Sequence, residues 1–204
     1  MTIGLIGYGD LGVQFENLIR LQSANFDFIY FDDIAFADKI EQSYPFADYL
    51  KEDFVHVHFI VALGYKHLNL KQQITKELLA ANRKLATFVH ASAIINPSVI
   101  IDPGTVIYPG VVLDKNVHVG YSSVLNLSVT ISHDTKIDDC CFIAPGTTIS
   151  GFSKIGKRCF IGVNSTISDN VSISDDVILG AASLVLKNIT EPGIYFGSPV
   201  RKKS

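Results

Sequence analysis

From Ile95 to Val185 every sixth residue is Ile, Leu or Val, without an exception. The positions run Ile95, Ile101, Ile107, Leu113, Val119, Leu125, Ile131, Ile137, Ile143, Ile149, Ile155, Ile161, Ile167, Ile173, Leu179 and Val185. Two residues before each stands a small or β-branched side chain, as at Val99, Thr105, Val111, Val117, Val129, Thr147, Ser165 and Val177. A helix cannot carry this pattern. At 100° per residue the sixth positions smear over three faces, and Pro97, Pro103, Pro109 and Pro145 interrupt it. A short strand can, because residues two apart share a face. Each hexad therefore reads as a strand with two inward residues, followed by a turn rich in Gly, Asn, Asp, Ser and Pro. Such a strand cannot bury its inner face alone, so the copies must stack into a solenoid.

The residues ahead of the repeat have a different grammar. MTIGLIG reads as a buried strand, and Gly7, Gly9 and Gly12 follow with the spacing G-x-G-x-x-G. Leu11, Phe15, Leu18 and Ile19 have helical spacing, and a second strand, Phe26 to Phe31, ends at Asp32-Asp33. Glycines in such a turn let backbone approach a phosphate, and the helix N-terminus favours its charge. A third strand is expected near Val55 to Leu63, a second helix near His67 to Asn82 and a fourth strand at Leu85 to Val89. Fewer than ninety residues, up to Val89, are left for this domain, which suits one nucleotide better than a dinucleotide such as NAD. A purely structural cap for the solenoid is the alternative. The expected division is 1-90, a Rossmann-like α/β nucleotide-sugar-binding domain, and 91-204, an all-β solenoid with a C-terminal cap. In that cap Pro192-Gly193 and Gly197-Ser198-Pro199 turn the tail back over the last coil.

Composition narrows the functional classes. A hydrophobic content of 48% with 18% charged residues describes a folded chain. A net charge of −3 offers no basic footprint for nucleic acid or anionic lipid. The N-terminus has neither a basic region nor a cleavage site, so no signal peptide is read there. No apolar run approaches the ~18 residues of a membrane span. The expectation is a cytoplasmic protein.

The run resembles the hexapeptide repeat of left-handed β-helix proteins, in which three hexads make one triangular coil. That resemblance implies about five coils and their handedness, and it puts residues eighteen apart on adjacent rungs. Cys141 and Cys159 would then stack inward as small core residues, with Cys140 pointing outward. His133 would occupy a corner beside Asp134, with Gly151 directly above it on the next coil. A missing side chain there leaves room for a ligand and exposes a backbone N–H as an oxyanion donor. His90 and His118 are the other histidines in or beside the repeat, and His118 has no acid next to it in sequence. The separations of twenty-eight and fifteen residues offer no close histidine pair, so no metal site is expected.

From the glycine turn to the final GSPVRKK the chain resembles bacterial sugar acetyltransferases that modify nucleotide-linked amino sugars, and the related sialic acid O-acetyltransferases. The motif that carries the likeness is Asn126-Leu-Ser-Val-Thr-Ile-Ser-His133-Asp134, followed by IAPGTTISG and IGKRCFIGVNS. The resemblance implies a homotrimer that transfers acetyl from acetyl-CoA to an amine in bacterial surface glycan biosynthesis. It makes His133 the general base and Asp134 the residue that raises its basicity. Phe142, Gly151, Val163 and Ala181 would line the acetyl-CoA groove. Gly9, Asp10, Leu11, Asp32, Asp33 and Gly64, with Asn126, would meet the acceptor. Asp10-Leu11 replaces a Gly-His pair common in such turns, Phe142 a polar residue, and Ala181 a frequent glycine. The alternatives are an O-acetyltransferase acting on a sugar hydroxyl and a non-catalytic nucleotide-sugar-binding solenoid.

Overall fold

The computed structural model describes residues 1–23 and 25–203. The chain divides into two compact units, Met1–Phe88 and Val89–Ser204.

The first unit is a five-stranded parallel sheet of order β3-β2-β1-β4-β5. Its elements are β1 (Thr2–Ile6), α1 (Asp10–Gln22), β2 (Asp27–Phe31), α2 (Asp33–Ala37), β3 (Ser43–Tyr44), β4 (His58–Val61), α3 (Leu68–Ala80) and β5 (Lys84–Leu85). Parallel strands covered on both faces need continuous apolar runs, and Ile3, Leu5 and Ile6 of β1 are all buried. Phe31, Val57, Phe59, Ile74 and Leu78 share one core cluster with Phe54 and Tyr49. Phe31 meets Phe54 edge-on, with ring centroids 4.9 Å apart. Chain order reverses between β1 and β4, and in open α/β sheets the crevice at such a point is where ligands bind.

One expectation is corrected here, and one stretch is filled in. Leu85 to Val89 is not one strand: Lys84–Leu85 forms the sheet edge, and Phe88–Val89 enters a solenoid sheet. The segment between β2 and β4, in which periodicity names no element, holds α2, β3 and two short 3-10 turns.

The second unit is a left-handed parallel β-helix. Its register is eighteen residues throughout, as in Val112↔Thr130 and Thr130↔Thr148, so three hexads close one coil. The first face carries Ile95, Leu113, Ile131, Ile149, Ile167 and Val185; the second carries Ile101, Val119, Ile137, Ile155 and Ile173. The third carries Ile107, Leu125, Ile143, Ile161 and Leu179. The side chains two residues before these aliphatics do more than fit. Thr105, Thr147, Ser153 and Ser165 each donate a hydroxyl to the carbonyl fifteen residues on, at 2.9–3.2 Å. Buried carbonyls need such partners, and this column supplies them from inside the coil. The tail adds a strand, Gly193–Gly197, parallel to Val177–Leu179, and returns as Val200–Lys202.

Cys141 and Cys159 belong to the same column. Both are free and buried, and their thiols donate to Gly156 O at 3.0 Å and Ser174 O at 3.1 Å. Burial pushes the Cys141 thiol well up. Cys140, expected outward, is fully buried. It lies in a corner column with Ser122 and Arg158, where Arg158 is held over the corner by its ion pair with Asp176 at 2.6 Å.

Candidate functional site

Each turn of the solenoid places one residue in the left-handed region of backbone space, three positions after the aliphatic. That region costs an ordinary residue roughly 1–2 kcal/mol and favours Gly, Asn and Asp. At the corner between the first and second faces the column is Asn116 (φ 57°), Asp134 (φ 55°), Phe152 (φ 58°) and Asn170 (φ 56°). Phe152 is out of place by this rule, since a bulky aromatic in that region is an outlier that invites a functional reading.

His133 stands at this corner, just before Asp134. Its Nδ1 lies 2.9 Å from Asp134 Oδ2. Asp134 Oδ1 accepts the side-chain amide of Asn116 from the coil below, at 2.9 Å. The Asn116 amide first, and then His133, hold the Asp134 carboxyl below the usual aspartate range. An ionised carboxylate is an acceptor only, so Nδ1 carries the hydrogen and, in the neutral ring, Nε2 keeps the lone pair. The ring has little freedom. A Cβ on Gly151 would lie 2.7 Å from His133 Cε1 and 3.0 Å from Nε2. Phe152 meets the same ring edge-on, with centroids 5.0 Å apart. About half of the Phe152 side chain remains exposed, so the site opens to solvent beside it.

The structure places the other solenoid candidates on two corners and the third face. Asn126, Val163 and Ala181 share the corner between the third and first faces. The first face, with Thr130, Thr148 and Thr166 outward, lies between that corner and the one holding His133 and Gly151. Phe142 is buried on the third face, which ends at the Val163 corner, and its ring is tilted against Phe160 with centroids 5.9 Å apart. Like Phe160 on the next coil, it precedes its aliphatic and faces outward from the coil.

In the first unit the three glycines have distinct duties. Gly7 adopts φ 90°, Gly9 faces open space, and a Cβ on Gly12 would lie 2.5 Å from Gly7 O. The turn is thus tight, its middle is open to a ligand, and its helix packs closely. Gly64, after β4, also faces open space, so both flanks of the switch point are clear. Asp10 lies in the first turn of α1, where its charge suits the helix dipole, and Leu11 follows it there. Asp32 is committed to the fold. Its Oδ1 accepts from Ile34 N and Ala35 N at the start of α2, and its Oδ2 from Tyr8 N at 2.9 Å. Asp33 likewise accepts from Phe46 N at 2.9 Å. A depression of about 200 Å³ lies between Tyr8, Gly9, Asp32, Ile34, Ala35, Asp38 and Ile40.

Asn116 and Phe152 escaped the sequence reading. Each is eighteen residues from Asp134, so the coil length alone locates them once the corner is chosen. His118, which has no acid beside it in sequence, has one in space: Asp102 Oδ2 lies 2.8 Å from its Nε2. Among the described residues no group of His, Cys, Asp and Glu converges as a metal site, and no helix is long and apolar enough to cross a membrane.

The sequence matches no curated protein. Solved structures share the fold at low identity. The acetyltransferase domain of PglB from Neisseria gonorrhoeae FA1090 has a TM-score of 0.88 at 22% identity, covering 99% of each chain. The same domain has been solved in complex with acetyl coenzyme A. A perosamine N-acetyltransferase from Caulobacter crescentus, with one histidine replaced by asparagine and in complex with CoA and GDP-perosamine, has a TM-score of 0.86 at 20% identity. It covers 100% of this chain and 96% of its own. WeeI from Acinetobacter baumannii AYE has a TM-score of 0.87 at 20% identity and covers 100% of both chains. A family model described as the GMPPB C-terminal domain matches residues 85–192, the solenoid with its hexads and the His133 corner. This chain belongs to that GMPPB C-terminal domain family.

Proposed function

We propose that the chain is an acetyltransferase that moves acetyl from acetyl-CoA to the amine of a nucleotide-linked amino sugar, in bacterial surface glycan biosynthesis. The carrying observation is the pairing of His133 Nδ1 with Asp134, under a residue that has no side chain. That arrangement is a base with its orienter. The acceptor nitrogen attacks the thioester carbonyl carbon while His133 Nε2 takes the amine proton. The tetrahedral intermediate collapses, the C–S bond breaks, and the proton passes to the departing sulfur to give an amide and free CoA. The backbone N–H of Gly151 serves the oxyanion. No covalent enzyme intermediate is needed, because the thioester is already activated.

The similar structures bound to CoA, acetyl coenzyme A and GDP-perosamine support this choice of substrates. In this reading Gly151, Val163 and Ala181 border the donor. In the first unit the open faces of Gly9 and Gly64, with Asp10, Leu11, Asp32 and Asp33, meet the acceptor. Phe142 has a packing role. The enzyme works in the cytoplasm as a homotrimer. The test is a panel of nucleotide-linked sugars incubated with acetyl-CoA and followed by mass spectrometry. An acetylated aminosugar and stoichiometric free CoA are expected. A better hydroxyl acceptor would move the reading to O-acetylation, and no thioester consumption with any acceptor would end it.

A further inference from the structure

The base does not stop at two residues. Asn116 lies one coil below Asp134, at the same left-handed corner position. Its amide nitrogen donates to Asp134 Oδ1 at 2.9 Å, while the other oxygen of that carboxylate meets His133. Asn116 is itself anchored from below. Its backbone N–H donates to Ser98 Oγ at 2.8 Å, and Ser98 Oγ donates to Asn96 Oδ1 at 2.9 Å. A line of hydrogen bonds thus climbs the corner and ends at the imidazole.

We infer that Asn116 is a positioning residue that fixes the Asp134 carboxylate and, through it, the tautomer and aim of His133. The inference rests on the proposed transferase reading. Its physical basis is the freedom of an aspartate beside solvent. Asp134 is bound to His133 by one oxygen only, and a carboxylate held at one point can rotate about its own χ angles. A donor on the second oxygen removes that rotation. The choice of residue fits the backbone as well: asparagine tolerates the left-handed conformation and brings an amide donor to it. The groups facing Asp134 are Asn116 and Lys115 from the coil below, His133 beside it and uncharged Phe152 above. Lys115 adds only a distant favourable charge, so the direct contacts decide the geometry.

Two substitutions keep the corner backbone. Asn116→Gly retains the conformation and deletes the donor. Asn116→Asp keeps the shape but sets one carboxylate against another. In Asn116→Gly, kcat should fall on the order of tenfold, the low end for losing an outer partner of a reactive histidine, with KM for both substrates unchanged. In the resting protein, the ring ¹⁵N shifts of His133 should move from the Nδ1–H pattern of wild type towards a mixture of tautomers. In Asn116→Asp the acid limb of the kcat profile should move to higher pH, because a second carboxylate favours the imidazolium. Wild-type kcat together with wild-type ring shifts in Asn116→Gly would overturn the inference, as would a loss confined to KM for acetyl-CoA. The ring shifts need no substrate, so failure here is distinguishable from failure of the transferase reading, which shows instead as no thioester consumption by the wild-type protein with any acceptor.

Discussion

The role proposed for His133 rests less on the residue itself than on its neighbours along the corner. Asp134 meets Nδ1, and the absent side chain at Gly151 leaves the ring room to lie against the next coil. His133→Ala should therefore fold normally and lose roughly 10²–10⁴ in turnover, the usual worth of a positioned general base. Gly151→Ala is the more pointed variant. Its methyl group would fall 2.7 Å from the ring, so His133 must swing away while the coil keeps its register. Displacement of a catalytic group by about 1 Å costs on the order of 10²-fold. Steady-state kinetics on both variants, with far-UV circular dichroism as the fold control, checks this. Unimpaired turnover in Gly151→Ala would show that the ring position is irrelevant. The pH dependence of Asp134 has a definite sign. Its carboxyl is held below the usual value by the Asn116 amide and then by His133, so that contribution is complete above about pH 4. It is lost as pH falls through the lowered folded value.

The coil owes its stability to two inward columns with different duties. The aliphatic column removes apolar surface from water, while the Ser, Thr and Cys column satisfies corner carbonyls that the ladder leaves over. Thr105→Val separates these effects. The valine keeps the shape of a fully buried side chain but takes the hydroxyl donor from the Gly120 carbonyl. A loss of roughly 1–3 kcal/mol is expected, seen as a lower denaturation midpoint at unchanged m-value. Equal or higher stability would mean that only size matters in this column. In the first unit the equivalent economy is at Asp32, which caps α2 and ties down the Tyr8 amide together. Removing it would disturb the turn itself, so it is a poor probe of ligand contact.

Gly9 is the better probe of how the two units divide the work. A Cβ there meets nothing within 4 Å, so Gly9→Val should fold while projecting into the open middle of the turn. Calorimetry should show weaker binding of the nucleotide-linked acceptor and unchanged affinity for acetyl-CoA. Equal losses for both ligands would reject the assignment of acceptor to the first unit. Assembly is tested separately. A homotrimer is expected in light scattering at micromolar concentration, and a monodisperse monomer would refute it.

The architecture was legible because its signals are local and repeated. One aliphatic every six residues dictates a stacked strand whatever surrounds it, and Gly7, Gly9 and Gly12 mark a βα turn by conformation alone. His133, Asp134 and Gly151 were also within reach, being adjacent in sequence or one coil apart. What the sequence could not weigh was contact across the register. Cys140 was assigned outward from alternation, yet corner residues have no alternation, and the stack with Arg158 buries it. His118 looked unpaired because Asp102 lies sixteen residues before it. Phe142 stands outward on the third face, which ends at the Val163 corner, and its contact with Phe160 is one that only the register supplies. The repeat thus determined by itself that this chain is a solenoid and where its corners fall. Only the tertiary structure decided which side chains meet at a corner, because those meetings depend on rotamers and on donors supplied by the coil above or below.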